Sequence, residues 1–220
     1  MVFVLLVGLT IVAARAPVAQ GQLATLQRQV LTTDGPMYIV TRGPGSILVR
    51  ARKGDGNERE VYWYSSALET TQGTSCAQWN RGEGIDQQGA AFRISTTHGD
   101  TRTITVTRNV VFGQFSVFNF HIWNTSTTPA FHLFGQVVLT HYLGTGQAAY
   151  PLNFCARIVR RLVQFVIWRP GQPQPEWGSV SQGGSALLPA GAPDQGYTGW
   201  FAGHVVAGTS TKFTDVSINN

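Results

Sequence analysis

Eleven short strand-like runs, each rich in Val, Ile, Phe, Thr or other aromatic residues, follow one another along the chain with turn-rich segments between them. They run from Met37 to Thr41, Ile47 to Ala51, Val61 to Tyr64, Ala91 to Thr96, Thr101 to Val111, Phe115 to Trp123, Phe131 to Tyr142, Phe154 to Val159, Leu162 to Trp168, Gly199 to Val206 and Thr211 to Ile218. The separators carry residues that supply turn geometry, such as Gly43-Pro44-Gly45, Gly54-Asp55-Gly56-Asn57, Gly82-Glu83-Gly84 and Gly144-Thr145-Gly146. No window has a long run of helix formers, and 25 glycines with only 12% charged residues fit sheet and turn better than helix. Strands without crossover helices must pair antiparallel, which predicts an all-β sandwich or barrel. With 220 residues, 43% of them apolar, the length suits one well-buried domain.

Alternation gives each run two faces. Phe118, Phe120 and Ile122 are apolar enough for a core, which leaves Asn119, His121 and Trp123 opposite. In the next run Leu133, Val137 and Leu139 fall on one side, and His132, Phe134, Gln136, Thr140 and Tyr142 on the other. Thr101, Thr103, Thr105 and Thr107 oppose Ile104 and Val106. Neighbouring strands should therefore share a face that mixes aromatic rings with amide, imidazole and hydroxyl groups.

Met1 to Ala14 is hydrophobic but shorter than the roughly 20 residues that span a bilayer, and Ala19-Gln20-Gly21 reads as a small-x-small cleavage site. We expect a signal peptide over 1–21 and an N-terminal arm, helical or mobile, over 22–35. One sandwich domain would fill 36–220, in a secreted, extracellular or cell-wall protein with no membrane span in its mature form. Nothing before Arg15 is basic, a departure from the usual signal. Two cysteines in an exported chain, Cys76 and Cys155, are expected to pair and to link the two layers. The net charge of +5 rests almost wholly on scattered arginines, since Lys53 and Lys212 are the only lysines, and it forms no stripe of the kind nucleic acid requires.

The segment Leu162 to Trp177 is a strand ending in Trp168, a Pro/Gly-rich bend and a second Trp. It is followed by Gly199-Trp200-Phe201-Ala202-Gly203 and Phe213 to Ile218. This pattern resembles the last strands of concanavalin A-like lectin/glucanase jelly rolls, the laminin-G-like superfamily. The likeness covers Cys155 to Ile218, and Arg160-Arg161 stands where such domains often have Gly with Asn or Asp. The resemblance implies an antiparallel two-sheet jelly-roll β-sandwich, and a concave sheet on which members commonly bind glycans.

A pyranose ring stacks its apolar face on Trp or Tyr while its hydroxyls need amides and imidazoles. Trp63, Asn119, His121, Trp123, Gln136 and Tyr142 are the candidate ligand-binding residues on that basis. Glycoside hydrolysis would need two carboxylates facing one bond, and the Glu-x-Asp-x-x-Glu strand of the family's glucanases is absent. Glu83 with Asp86 is the nearest pair, in a Gly-rich loop. His121, Tyr142, Gln136 and Arg157 offer a thin case for a lyase, without the Gln-x-His or Arg-x-Glu-x-Arg patterns of jelly-roll lyases. The five histidines, His98, His121, His132, His141 and His204, include no metal-binding spacing, with His132 and His141 on opposite faces, and Gly54 to Asn57 is read as a turn. Asn124-Thr125-Ser126 is a glycosylation sequon. The expectation is a non-catalytic binder of a glycan or cell-envelope component, without cofactor or metal. The alternatives are a carbohydrate-active enzyme on the same fold and an envelope structural protein that engages another protein.

Overall fold

The computed structural model describes residues 25–32, 37–52, 58–81, 87–109, 116–145 and 150–219. The expected signal peptide, the Gly54 to Asn57 turn and the Glu83 and Asp86 pair lie outside the described residues. In chain order the strands are β1 (Leu26–Thr32), β2 (Ile39–Gly43), β3 (Ser46–Arg50), β4 (Arg59–Tyr64), β5 (Gly73–Arg81), β6 (Gln87–Thr97) and β7 (Asp100–Asn109). They continue as β8 (Val117–Asn124), β9 (Phe131–Val138), β10 (Leu152–Val159), β11 (Leu162–Trp168), β12 (Gly183–Leu187), β13 (Tyr197–Gly203) and β14 (Ser210–Asn219). One helical turn, α1 (Thr140–Leu143), follows β9.

The strands form two seven-stranded sheets, in the orders β1-β4-β13-β6-β7-β8-β9 and β12-β11-β10-β5-β14-β3-β2. Every pairing between named strands is antiparallel. The chain is thus an all-β, two-sheet jelly-roll sandwich: the runs predict a sandwich or barrel, and the resemblance of the last strands implies the jelly roll. Between the sheets, the rings of Trp79 and Phe154 stack with centroids 4.2 Å apart, and Phe118 of the other layer stacks on Phe165 at 4.4 Å. Such pairs each add about 1 kcal/mol beyond the area they remove from water.

Four local expectations change. Leu26–Thr32 is a strand paired with β4, where the sequence suggested a helix or a mobile arm. Its spaced leucines serve a sheet edge. Strands β5 and β12 were absent from the eleven runs because their inward residues are small or isolated, as in Ser75, Ala77 and Trp79 of β5. The run expected to reach Tyr142 stops at Val138, and α1 carries His141 and Tyr142 off the sheet. A register shift in β9 pairs Phe120 with Gly135 and His121 with Leu133. That irregularity turns Phe134 towards the main core and Leu133 out to solvent, the reverse of strict alternation.

Cys76 and Cys155 do form a disulfide, but between β5 and β10, neighbours in one sheet. It therefore staples two strands of a layer and does not link the layers. Closing a 79-residue separation stabilises the fold by roughly 4 to 5 kcal/mol by loop entropy. Arg160-Arg161 makes the two-residue β10–β11 turn, with Arg160 in the left-handed region at φ 56°.

The two long edges of the sandwich differ. At β9 and β12 the layers meet so closely that a Cβ on Gly135 would lie 2.8 Å from the Ala186 Cβ, and one on Gly184 would lie 2.6 Å from Val137 Cγ2. The edge formed by β1 and β2 carries a groove instead.

Candidate functional site

The outer face of the first sheet is assembled in rows by its register. One row runs Val61, Phe201, Gly89, Thr107, Asn119, Gln136 across six strands. The next includes Ala91, Thr105, His121 and Leu133, and a third Thr103, Trp123 and Phe131. Directly opposed residues of antiparallel strands share a face, so amides, hydroxyls and rings line one surface. Gln136 Nε2 donates to Asn119 Oδ1 at 2.9 Å, and Gln87 Nε2 donates to Asn109 Oδ1 at 3.0 Å.

That surface is concave. Arg59 on β4 and Phe131 on β9 are five strands apart, so a flat sheet would hold their main chains about 24 Å apart, more than the two side chains together can bridge. Yet the Arg59 guanidinium carbon stands 5.7 Å from the Trp123 ring centre and 5.8 Å from that of Phe131. Trp123 also reaches Phe201 at 6.1 Å, three strands away in the order. Strand twist accumulated over the sheet brings these distant side chains together over the hollow. Its floor is packed: Leu31, Val61, Ala91, Ile94, Trp123 and Phe201 form a second hydrophobic cluster, separate from the core between the layers.

The structure brings Asn119, His121, Trp123 and Gln136 together on β8 and β9. Trp123 is only 2% exposed and its Nε1 donates to Thr105 Oγ1 at 2.9 Å, so it belongs to the floor. Asn119 is 7% exposed. Gln136 is exposed and His121 half-buried. Trp63 lies on the same face towards the β1 edge, half-buried and stacked on Tyr197 at 5.7 Å. Tyr142 is elsewhere. Its hydroxyl donates to Gln172 Oε1 at 3.2 Å, in a separate cavity of about 390 Å3 shared with His141 and Ser181.

The accessible ring of the face is Phe131, 40% exposed, beside Leu133 at 44%. His121 meets Phe131 edge-on at 5.4 Å. Burial pushes the His121 imidazole down to about 4, and its electrostatic interactions with Arg59 and His132 lower it further. His204, whose Nε2 is 2.9 Å from an Arg59 guanidinium nitrogen, is likewise held at about 4 by burial and by Arg59. Both rings are therefore neutral near pH 7, and the His204 Nε2 is engaged by Arg59. Two buried polar atoms of this face, His121 Nδ1 and Thr107 Oγ1, have no hydrogen-bond partner among the described residues. Unpaired polar atoms of this kind are costly unless water or a ligand satisfies them.

Sequence reasoning passed over Arg59, Phe131, Leu133 and His204. Extending the Val61 to Tyr64 run by two residues would have put Arg59 in phase with Val61 and Trp63. Leu133 was hidden by the bulge. Among the described residues no group of three His, Cys, Asp or Glu side chains is placed to hold a metal ion, and no described helix is long and apolar enough to cross a membrane.

No family model matches the chain, and no curated protein matches it in sequence. Solved structures do match in shape. A Bacillus subtilis protein of unknown function with a galectin-like fold aligns at a TM-score of 0.55 and 9% identity, covering 88% of each chain. The exoplasmic/lumenal domain of VIP36, solved in a Ca2+/Man-bound form, aligns at 0.54 and 9% identity, over 88% of this chain and 82% of its own. The carbohydrate-binding module CBM66 from Bacillus subtilis gives 0.52 at 8% identity, over 88% and 95%. The fold is that of lectin-like sandwiches. At these identities the likeness establishes the architecture alone.

Proposed function

We propose that this chain is an exported, non-catalytic protein that binds a saccharide on the concave face of its first sheet, at the β8–β9 side. The observation that carries this reading is the adjacency there of an exposed ring, Phe131, a neutral imidazole, His121, and the Asn119–Gln136 amide pair. A sugar can lay its apolar face on the ring and direct its hydroxyls to the amides and the imidazole. The same fold in a carbohydrate-binding module and in a mannose-bound lumenal domain supports the reading. An intrachain disulfide fits a protein exposed to an oxidising compartment.

The test is a glycan array followed by calorimetry on the hits. Phe131→Ala should weaken the best hit by about 1 kcal/mol, roughly fivefold, by removing the stacking ring. Gln136→Ala should weaken it similarly by removing a hydrogen bond. An array with no hits, or variants that bind as tightly as the parent protein, would discard the proposal.

A further inference from the structure

The cavity of about 390 Å3 away from the concave face opens where α1 meets the bend between β11 and β12. His141 and Tyr142 supply one wall, from the turn that follows β9 of the first sheet. Gln172, Pro173, Ser181 and Gln182 supply the other, from the second sheet's bend. The volume lies at the low end of the range for small-ligand sites.

Main-chain bonds hold both walls in place. Leu139 N donates to the Ser116 carbonyl oxygen at 2.9 Å, and Tyr142 N and Leu143 N donate back to the Leu139 carbonyl oxygen at 3.0 and 2.9 Å. Gly144, at φ 77°, ends the turn in a backbone conformation that suits glycine. Opposite, Ile167 N donates to the Gln182 carbonyl oxygen at 2.7 Å, and Gln182 N donates to Ser179 Oγ at 3.3 Å. The cavity is thus shaped before a ligand arrives, which lowers the ordering that binding requires.

Two bonds between the walls fix the polarity of their side chains. His141 Nε2 lies 2.9 Å from the Ser181 carbonyl oxygen, which can only accept, so Nε2 carries a proton and Nδ1 of the neutral ring is an acceptor. Gln172 Oε1 accepts from the Tyr142 hydroxyl at 3.2 Å and from Arg169 N at 3.4 Å, which leaves its Nε2 to donate. The rings of Tyr142 and Pro173 add apolar surface. No Asp, Glu, Lys or Arg is among the described residues that line the cavity.

We propose that this cavity is a second saccharide subsite, which takes one unit of a neutral glycan. Each pyranose hydroxyl both donates and accepts, so one sugar can serve the His141 acceptor and the Gln172 donor together while its C–H face covers the Tyr142 ring. A carboxylate or sulfate would meet no guanidinium or ammonium group among the described lining residues, so the site selects by hydroxyl placement and not by charge. This subsite goes beyond the concave-face reading and shares no residue with it, and either can hold when the other fails.

The experiment titrates the full chain by calorimetry with maltotriose, cellotriose, mannotriose and chitotriose, and with trigalacturonate as the charged control. At least one neutral trisaccharide is expected to bind, and Gln172→Ala and Tyr142→Ala should each weaken it about fivefold while Phe131→Ala leaves that binding unchanged. Tyr142→Phe, which keeps the ring, should weaken it less than Tyr142→Ala. Gln172 is exposed, so its variant should keep the thermal unfolding midpoint of the parent and separate lost binding from lost folding. The proposal is overturned when no neutral trisaccharide binds, when trigalacturonate binds as tightly, or when Gln172→Ala binds as the parent does. Binding that responds to Phe131→Ala alone would belong to the concave face and would overturn the cavity.

Discussion

The guanidinium of Arg93 donates to the main-chain carbonyl oxygen of Arg160 at 2.6 Å, tying the first sheet to the β10–β11 turn of the second. Arg93 is itself in the left-handed region, at φ 52°, where β6 shifts register between Phe92 and Ser95. The same side chain donates to the carbonyl oxygens of Pro193 at 2.8 Å and Thr71 at 2.7 Å. Burial lowers its pKa from the ordinary arginine value, opposed by the nearby Asp194, and an arginine remains charged regardless. One buried cation thus organises three loops by satisfying three carbonyls.

Arg93→Met should therefore cost about 3 kcal/mol, since it strips charge-assisted hydrogen bonds from carbonyls that have little access to water. Arg93→Lys should recover only part of this, because an ammonium lacks the planar fork that reaches several acceptors together. Urea denaturation of the three proteins measures it. Superimposable curves for Arg93→Met and the parent would remove Arg93 from the list of structural cations.

Much of the fold is legible in the sequence, because burial on one face imposes period two. Phe118, Phe120, Ile104 and Val106 enter the core as alternation requires. The misses share a cause, which is that the decisive information is not local. Strand β5 carries few large apolar residues, yet it is central in its sheet because β10 and β14 flank it. Beside the β9 bulge, Gly135 comes so close to β12 that an added Cβ would meet the Ala186 Cβ at 2.8 Å, a contact between layers that no local pattern encodes. For the site, alternation brings Asn119, His121 and Gln136 to one face, whereas the burial of Trp123 follows from sheet curvature that folds Arg59 over it. Tyr142 left the face because a helical turn interrupts the run after Val138.

Acid should destabilise the fold in a defined window. His121 and His204 are held at about 4 in the folded chain, against about 6.5 for an unperturbed histidine. Between these values the unfolded chain binds protons that the folded chain refuses, so stability is complete above pH 6.5 and falls as the pH drops towards 4. The slope reaches at most about 1.4 kcal/mol per pH unit for each histidine, and less for His204, which is the more open to water. Urea midpoints at pH 7 and pH 5 give the loss. His121→Asn should reduce the difference, and an undiminished pH dependence in that variant would show that His121 is not its source.

Gly135 links the closed edge of the sandwich to the concave face. It stands opposite Phe120 at the register shift that leaves Gln136 beside Asn119 and Leu133 beside His121. A methyl group there would meet the Ala186 Cβ at 2.8 Å, and Phe120 at 3.4 Å on the other side. Neither neighbour is the far end of a flexible side chain, so β9 and β12 must separate. Gly135→Ala should cost about 1 to 3 kcal/mol, the usual range for overpacking. Because β9 presents Phe131 and Gln136, the same change should weaken saccharide binding. Adding Ala186→Gly removes the atom being struck, and the double variant should recover both stability and affinity in a double-mutant cycle. Additive losses in that cycle would show that contact between the layers is not what fixes the bulge, and Gly135 would then owe its place to the backbone geometry of β9 alone.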